Sequence, residues 1–337
     1  MSNESNVTRR DFLRNTAGAA LALSVLPASA AAAEGSTLSK DEFERLFTEV
    51  SNWGRWGKDD QMGTVNLITA AKRKQAAALI REGLSVSLSH TYSTEKAVDN
   101  PMPLVHTMTS TGEKPDSFDA LDTYTMNYHG PYYTHMDALC HFFRNGKTYN
   151  GYPQTVVTSA GAQKLDIDVF KNGIVTRGIL MDIPRSKGLP YLEPGTQIHP
   201  EDLDAWEKKA GIKVSSGDMI FIRTGRWGRR AKLGPWDLDK SVAGLYPTCA
   251  RWLKQRDVAV LASDAVSDVM PFPTPGVAFP IHALTIVSLG TPIFDNCDLE
   301  EVSETANRLR RWEFMLTTAP MRIPTGTGSP LNPLAIF

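Results

Sequence analysis

Two hydrophobic periods share this chain, and their alternation predicts its elements. Ser39-Lys-Asp-Glu42 has the form of a capping box and opens an amphipathic helix expected to run through about Val50, while Thr69 caps a second helix expected to end at Gly83. Residues 84–90 alternate apolar side chains with serine, as a half-buried strand does. Residues 174–183, 219–224 and 258–263 are short apolar runs rich in branched side chains, which predicts buried strands. Helices are expected between and after them, at residues 200–210, roughly 247–255, and from Asp298 to about Arg310, the first with proline at its opening position. Interleaving of this kind predicts an α/β fold. Residues 91–122 lack either period and are rich in Pro, Thr, Ser and Asp, which suits an ordered active-site loop or an oligomer arm. The chain has no internal repeat.

The amino-terminal segment predicts a destination. Thr8-Arg-Arg-Asp-Phe-Leu-Arg14 is a twin-arginine pattern, a short apolar run follows over residues 16–26, and Ala28-Ser29-Ala30 offers a small-residue cleavage site. That run falls short of the ~20 apolar residues a membrane span requires. Residues 1–30 therefore read as an export signal and residues 31–337 as one periplasmic domain with no lasting membrane association. Export of an already folded chain allows a metal to be loaded in the cytoplasm, which favours manganese, since raw affinity otherwise favours copper and zinc. The remaining 33 basic and 35 acidic residues are interspersed and nearly balanced, so nothing recruits nucleic acid. Three widely spaced cysteines, Cys140, Cys249 and Cys297, exclude a disulfide framework, and Cys140 reads as a buried hydrophobe before a nucleophile or soft ligand.

The densest chemistry lies in residues 128–143, YHGPYYTHMDALCHFF, which hold three of the seven histidines. On an extended strand His135 and Asp137 project from one face, and His129 and His141 are close enough to reach the same pocket from flanking turns. Neutral imidazole with carboxylate suits a divalent metal, manganese or zinc. THMDALCHF resembles the signature of the cyclase family of metal-dependent hydrolases, which includes bacterial kynurenine formamidase and isatin hydrolase and carries the pattern H-x-G-T-H-x-D-x-x-x-H. The stretch NWGRWGKDDQMGTVNLIT over residues 52–69 and the run from His282 through GTPIFDNCDLEE to TAPMRIPTGTGSPLNPLAIF are similar to the family's larger bacterial members.

The resemblance implies one α/β domain with a mixed β-sheet core flanked by helices, of the swivelling β/β/α type. It further implies His135, Asp137, His282 and Asp295 as metal ligands and His141 as the base. Two positions depart from the pattern. The family's first histidine falls, without gaps, on Pro131, which coordinates nothing, so His129 is the candidate substitute; Asp295 stands where glutamate is common.

A bound divalent ion lowers the pKa of water from ~16 toward ~7 and polarises a carbonyl, and a histidine of ordinary pKa can then shuttle the proton. The expected activity is hydrolysis of an amide, imide, formamide or lactone in a small cyclic or aromatic substrate; the alternative is an exported metal- or ligand-binding protein that has lost catalysis. Trp53, Trp56 and Tyr132 are candidates to hold a planar substrate. His90 and His106 are spare candidates for the missing ligand, and Asp264 and Asp268 follow a buried strand, with capping preferred for Asp268. The turn at residues 326–329 is a candidate to shape the pocket. No G-x-S-x-G, H-E-x-x-H, Walker or G-x-G-x-x-G motif competes with this reading. A homo-oligomer, dimer or tetramer, is expected.

Overall fold

The computed structural model describes residues 35–337; the expected export signal lies outside the described residues. Nine strands form the central sheet: β1 (Ser85–Ser87), β2 (His135–Asp137), β3 (Ile174–Asp182), β4 (Met219–Arg223), β5 (Val260–Ser263), β6 (Ile293–Asp295), β7 (Glu313–Thr318), β8 (Gly328–Pro330) and β9 (Leu334–Ile336). Their spatial order is β1-β9-β7-β3-β4-β5-β6-β2-β8. The four middle strands β3 to β6 run parallel, and every pairing outside them is antiparallel. This matches the sequence: β3, β4 and β5 are buried along nearly their whole length, as parallel strands covered on both faces must be.

Six helices of eight or more residues accompany the sheet among the described residues: α1 (Lys40–Glu49), α2 (Ala70–Ala77), α3 (Pro200–Ala210), α4 (Arg226–Leu233), α5 (Cys249–Arg256) and α6 (Glu300–Leu309). The capping box of α1 forms as expected, with Glu42 N donating to Ser39 Oγ and Ser39 N to Glu42 Oε2. Helix α3 ends on Gly211 at φ 66°, in the left-handed conformation that glycine adopts without cost. Two expectations need correction. Helix α2 stops at Ala77 and not at Gly83, because Leu79 N and Ile80 N turn to the carbonyls of Ala76 and Ala77 and Gly83 N bonds Phe337 O, tying the segment to the carboxy-terminal strand. The strand expected over residues 84–90 shortens to β1 because beyond it the chain leaves the ladder, Ser89 bridging to Cys297.

The aperiodic stretch after Thr91 becomes a two-stranded ribbon, Val105–Ser110 paired with Leu121–Thr125, whose side chains are almost all exposed. The segment 280–290, which carries no period in the sequence, is helical: Pro280–His282 continues into a π-helix over Ala283–Leu289, every residue of which is buried. An element apolar all round hides its period. No helix among the described residues is long and apolar enough to cross a membrane.

Candidate metal centre

Strands β2 and β6, the turns on either side of β2 and one short helix build the site. Strand β2 is buried on both faces, so its two-residue period sends Met136 into the core and both His135 and Asp137 to the opposite side. The antiparallel register of β6 sets Asp295 directly across from His135, and directly opposed residues share a face. Past β2 the chain turns, with Ala138 N bonded to Thr327 O and His141 N to Ala138 O, and this returns His141 to Asp137. His282 comes from the short helix Pro280–His282.

These side chains converge on Asp137. Its Oδ1 lies 3.0 Å from His129 Nδ1, 3.4 Å from His135 Nε2 and 3.7 Å from His141 Nε2, and its Oδ2 lies 3.6 Å from His282 Nε2. Asp295 Oδ2 stands 3.3 Å from the same His282 nitrogen. Donor atoms fall into two groups that share the aspartate, His129 with Asp137 and His141, and His135 with Asp137 and Asp295, each within 4.8 Å of one another. All six line one cavity of about 260 Å³.

The hydrogen bonds fix where the lone pairs point. A carbonyl only accepts, so His135 Nδ1–H donates to Tyr133 O at 2.8 Å and leaves Nε2 free toward the cavity. His282 Nδ1–H donates likewise to Asp268 Oδ2 at 2.5 Å. Asp295 uses Oδ1 to accept from Ser267 Oγ at 2.9 Å and keeps Oδ2 for the cavity. Both carboxylate oxygens of Asp137 and Nδ1 of His129 are buried without a well-formed hydrogen bond, since even the 3.0 Å approach of Nδ1 to Oδ1 is poorly aligned. Orphaned polar atoms of this kind are costly to bury, and here they face a common point. The donor set of imidazole and carboxylate, without thiolate, fits a divalent cation.

Charge agrees with that fit. Burial opposes charge on Asp137, yet the field of His141 and the contacts of His129, His135 and His282 hold its pKa well below the usual range. Burial also opposes charge on His282, but Asp137, Asp268 and Asp295 outweigh it and raise the imidazole's pKa. The site thus gathers buried carboxylate charge that a cation neutralises. His141 goes the other way: burial, aided by the neighbouring imidazoles and opposed by Asp137, pushes it down to about 4, so the ring is neutral at neutral pH. Burial pushes the Cys140 thiol up to about 12, and its sulfur sits in the core, as the sequence reading preferred.

The structure brings His129, His135, Asp137, His141, His282 and Asp295 together, and it places the three aromatic candidates elsewhere. The indole of Trp53 is tied to Val287 O at 2.7 Å and packs on Phe47, Trp56 lies under Arg55, and Tyr132 packs edge-on against Trp227 beside a separate cavity of about 110 Å³. The apolar wall of the metal cavity is made by Phe142, Phe279, Val266 and Met270, with Asp239 at its rim. Sequence position gave no sign of this wall, since the ring contacts of Phe142 with Phe279 and His282 join segments far apart in the chain.

Neither spare histidine enters the cavity. His90 stacks on Trp227 at 3.6 Å and His106 pairs with Asp122 on the ribbon. Asp264 accepts from Thr224 N, Gly225 N and Arg226 N and so caps α4. Asp268 accepts from Ile281 N and His282 N, which is the capping expected of it, and also orients the His282 ring, which the sequence reading missed. A carboxylate just beyond a buried parallel strand was the one signal available for it. The expected turn at residues 326–329 runs into strand β8 at Gly328, and it backs His129 without lining the cavity: Thr327 Oγ1 lies 3.1 Å from its Nε2, and a Cβ on Gly328 would stand 2.7 Å from its Cε1 and 2.5 Å from Met136 O.

Comparison with known proteins follows the same line. The Cyclase family model matches residues 86–268. A crystal structure described as a novel cyclase aligns with a TM-score of 0.78 and 32% identity, covering 85% of this chain and 99% of that one. An isatin hydrolase bound to the product analogue thioisatinate aligns at 0.55 and 17% identity over 81% of this chain and 98% of its own. Isatin hydrolase A from Ralstonia solanacearum aligns at 0.55 and 20% identity over 79% and 95%. At these identities the last two share the fold. No curated protein matches the chain. With the family model spanning more than half of its residues and a solved cyclase matching nearly end to end, the chain belongs to the cyclase family.

Proposed function

We propose that this protein is a metal-dependent hydrolase that cleaves an amide, imide, formamide or lactone bond of a small cyclic or aromatic substrate. The observation that carries the reading is the convergence of five His and Asp side chains around Asp137, whose two oxygens are buried and otherwise unpartnered. His135, Asp137, His282 and Asp295 would hold the ion, with His129 in place of the ligand that the family pattern puts at Pro131. A divalent cation there, manganese or zinc, supplies a water of lowered pKa and an electrophile for the carbonyl.

The chain's own groups do the rest. His141, with Nε2 3.7 Å from Asp137 Oδ1 in the same cavity and its ring neutral at neutral pH, accepts a proton and returns it to the leaving nitrogen or oxygen. Phe142 and Phe279 flank the cavity and offer flat apolar faces to a ring, while restricting water. The similarity to isatin hydrolases supports a cyclic amide as the first substrate to try. We further propose that the protein acts in the periplasm after removal of residues 1–30, and as a homo-oligomer joined through its exposed ribbon.

The test is metal content by mass spectrometry on wild type, His129→Ala and Asp137→Ala, with hydrolysis of isatin and N-formylkynurenine followed on the same samples. Manganese or zinc in wild type, lost in Asp137→Ala together with hydrolysis, is the expected result. Wild type that takes up no metal on reconstitution would overturn the reading.

A further inference from the structure

His129 reaches the site although the motif's spacing places the first ligand two residues later, and the backbone that makes this possible is clamped from outside the site. Gly130 N bonds back to Tyr128 O at 2.8 Å, a tight turn that lifts His129 out of register with β2. Proline at position 131 has a fixed φ and no N–H, so its carbonyl is the one backbone hydrogen-bonding group it offers. That carbonyl accepts from Arg226 Nη2, and the other arm of the guanidinium, Nη1, donates to Asn296 Oδ1 at 2.5 Å. The Asn296 amide in turn donates to Gly130 O at 2.8 Å and to Tyr133 O at 3.3 Å.

Both clamp residues are buried and held in place themselves. Arg226 lies over the Trp227 ring at 4.2 Å and faces the buried carboxylate of Asp99 at 3.7 Å, and Asp264 fixes its backbone. Asn296 immediately follows Asp295, takes φ 57°, and its carbonyl accepts from Thr134 Oγ1 at 2.7 Å. The clamp therefore joins β2, β6 and the segment that carries His129. A buried guanidinium that spends two donors on a turn carbonyl and a neighbouring amide does so at the cost of hydration, and the turn it orders bears a side chain aimed at Asp137.

We infer that Arg226 and Asn296 are positioning residues for His129, pinning the carbonyls of Pro131 and Gly130 so that an imidazole from outside the motif's spacing occupies the ligand position. This rests on the reading of His129 as a metal ligand. The decisive variant is Asn296→Gly, because glycine keeps the left-handed φ and removes only the amide. Arg226→Met is the second. The experiment measures Mn²⁺ affinity of the metal-stripped full chain, from the EPR signal of free Mn²⁺, for wild type, each variant, His129→Ala, and each variant combined with His129→Ala. Cooperative thermal unfolding of the metal-free proteins shows that they are folded.

Loss of a group that orients a ligand typically weakens metal binding ~10–100-fold. Each clamp variant is expected to show such a loss in the native background and under about twofold in His129→Ala, because coupled residues are not additive. Wild-type affinity in both clamp variants, or an equal loss with and without His129, would overturn the inference. Failure of the underlying reading looks different: His129→Ala would bind as wild type does, or wild type itself would not bind, and the clamp would then have no ligand to position.

Discussion

At the scale of single residues, the site depends on what each side chain's second atom is doing. His135 and His282 each commit Nδ1 to an acceptor, a carbonyl in one case and Asp268 in the other, and this presents Nε2 to the cavity. Asp268→Asn should therefore weaken metal binding ~10–100-fold without emptying the core, since the amide's NH₂ or oxygen no longer enforces the same imidazole tautomer; a metal titration of the folded variant reads this directly, and unchanged affinity would show that the ring is oriented by packing alone. His141→Ala should lower kcat ~100- to 10,000-fold while metal content stays near wild type, the outcome that separates a proton shuttle from a ligand. Parallel loss of metal would reassign His141 to the His129–Asp137 group. Gly328 leaves no room for a side chain beside the site: alanine there puts a methyl against Met136 O and His129 Cε1, a backbone carbonyl that cannot yield and a ring that can. Gly328→Ala should cost about 1–3 kcal/mol in denaturant unfolding, as overpacking does, and displace His129.

At the scale of elements, the short strand β2 is ordinary as a strand and unusual in its neighbours. Its three residues are paired on both sides, Asp295 and Pro330 across from His135 and Ile293 and Gly328 across from Asp137. A slip of one residue in the β6 pairing would move Asp295 to the opposite face from His135 and Asp137, so that register is part of the site. Helix α4 contributes by its first residue. Asp264, fully buried, accepts from four donors in residues 224–226, the amides of Thr224, Gly225 and Arg226 and the Thr224 hydroxyl, and so fixes where α4 begins. Asp264→Asn, which turns an acceptor toward those amides into a donor, should destabilise the metal-free protein by about 1–3 kcal/mol. A denaturation midpoint equal to wild type would show that the turn holds without it.

At the scale of the whole molecule, the ribbon is the element with least support from the body. Two-stranded ribbons alone are marginal in water, yet this one exposes Val105, Met108, Leu121 and Tyr124, with Phe118 at its tip 95% exposed. Sedimentation velocity on the purified chain should show a species larger than the 37.1 kDa monomer, and Phe118→Ser with Leu121→Ser should shift it toward the monomer. A wild-type monomer would sink the oligomer proposal. Much of this organisation was legible along the chain. The buried strands β3, β4 and β5, the capped helices α1 and α3, and the pairing of His135 with Asp137 follow from periods of two and 3.6 and from local caps, which are properties of neighbouring residues. Other features had no local signal. Pro131 meets Arg226 across 95 positions and Gly130 meets Asn296 across 166, so the place of His129 is fixed by contacts that no window of sequence contains. The same holds for the wall of Phe142 and Phe279. Sequence alone determined which residues could bind a metal and which elements would carry them, because ligand chemistry and hydrophobic period are local. Only the tertiary structure decided which of those residues meet, because sheet register and buried long-range hydrogen bonds set the distances between them.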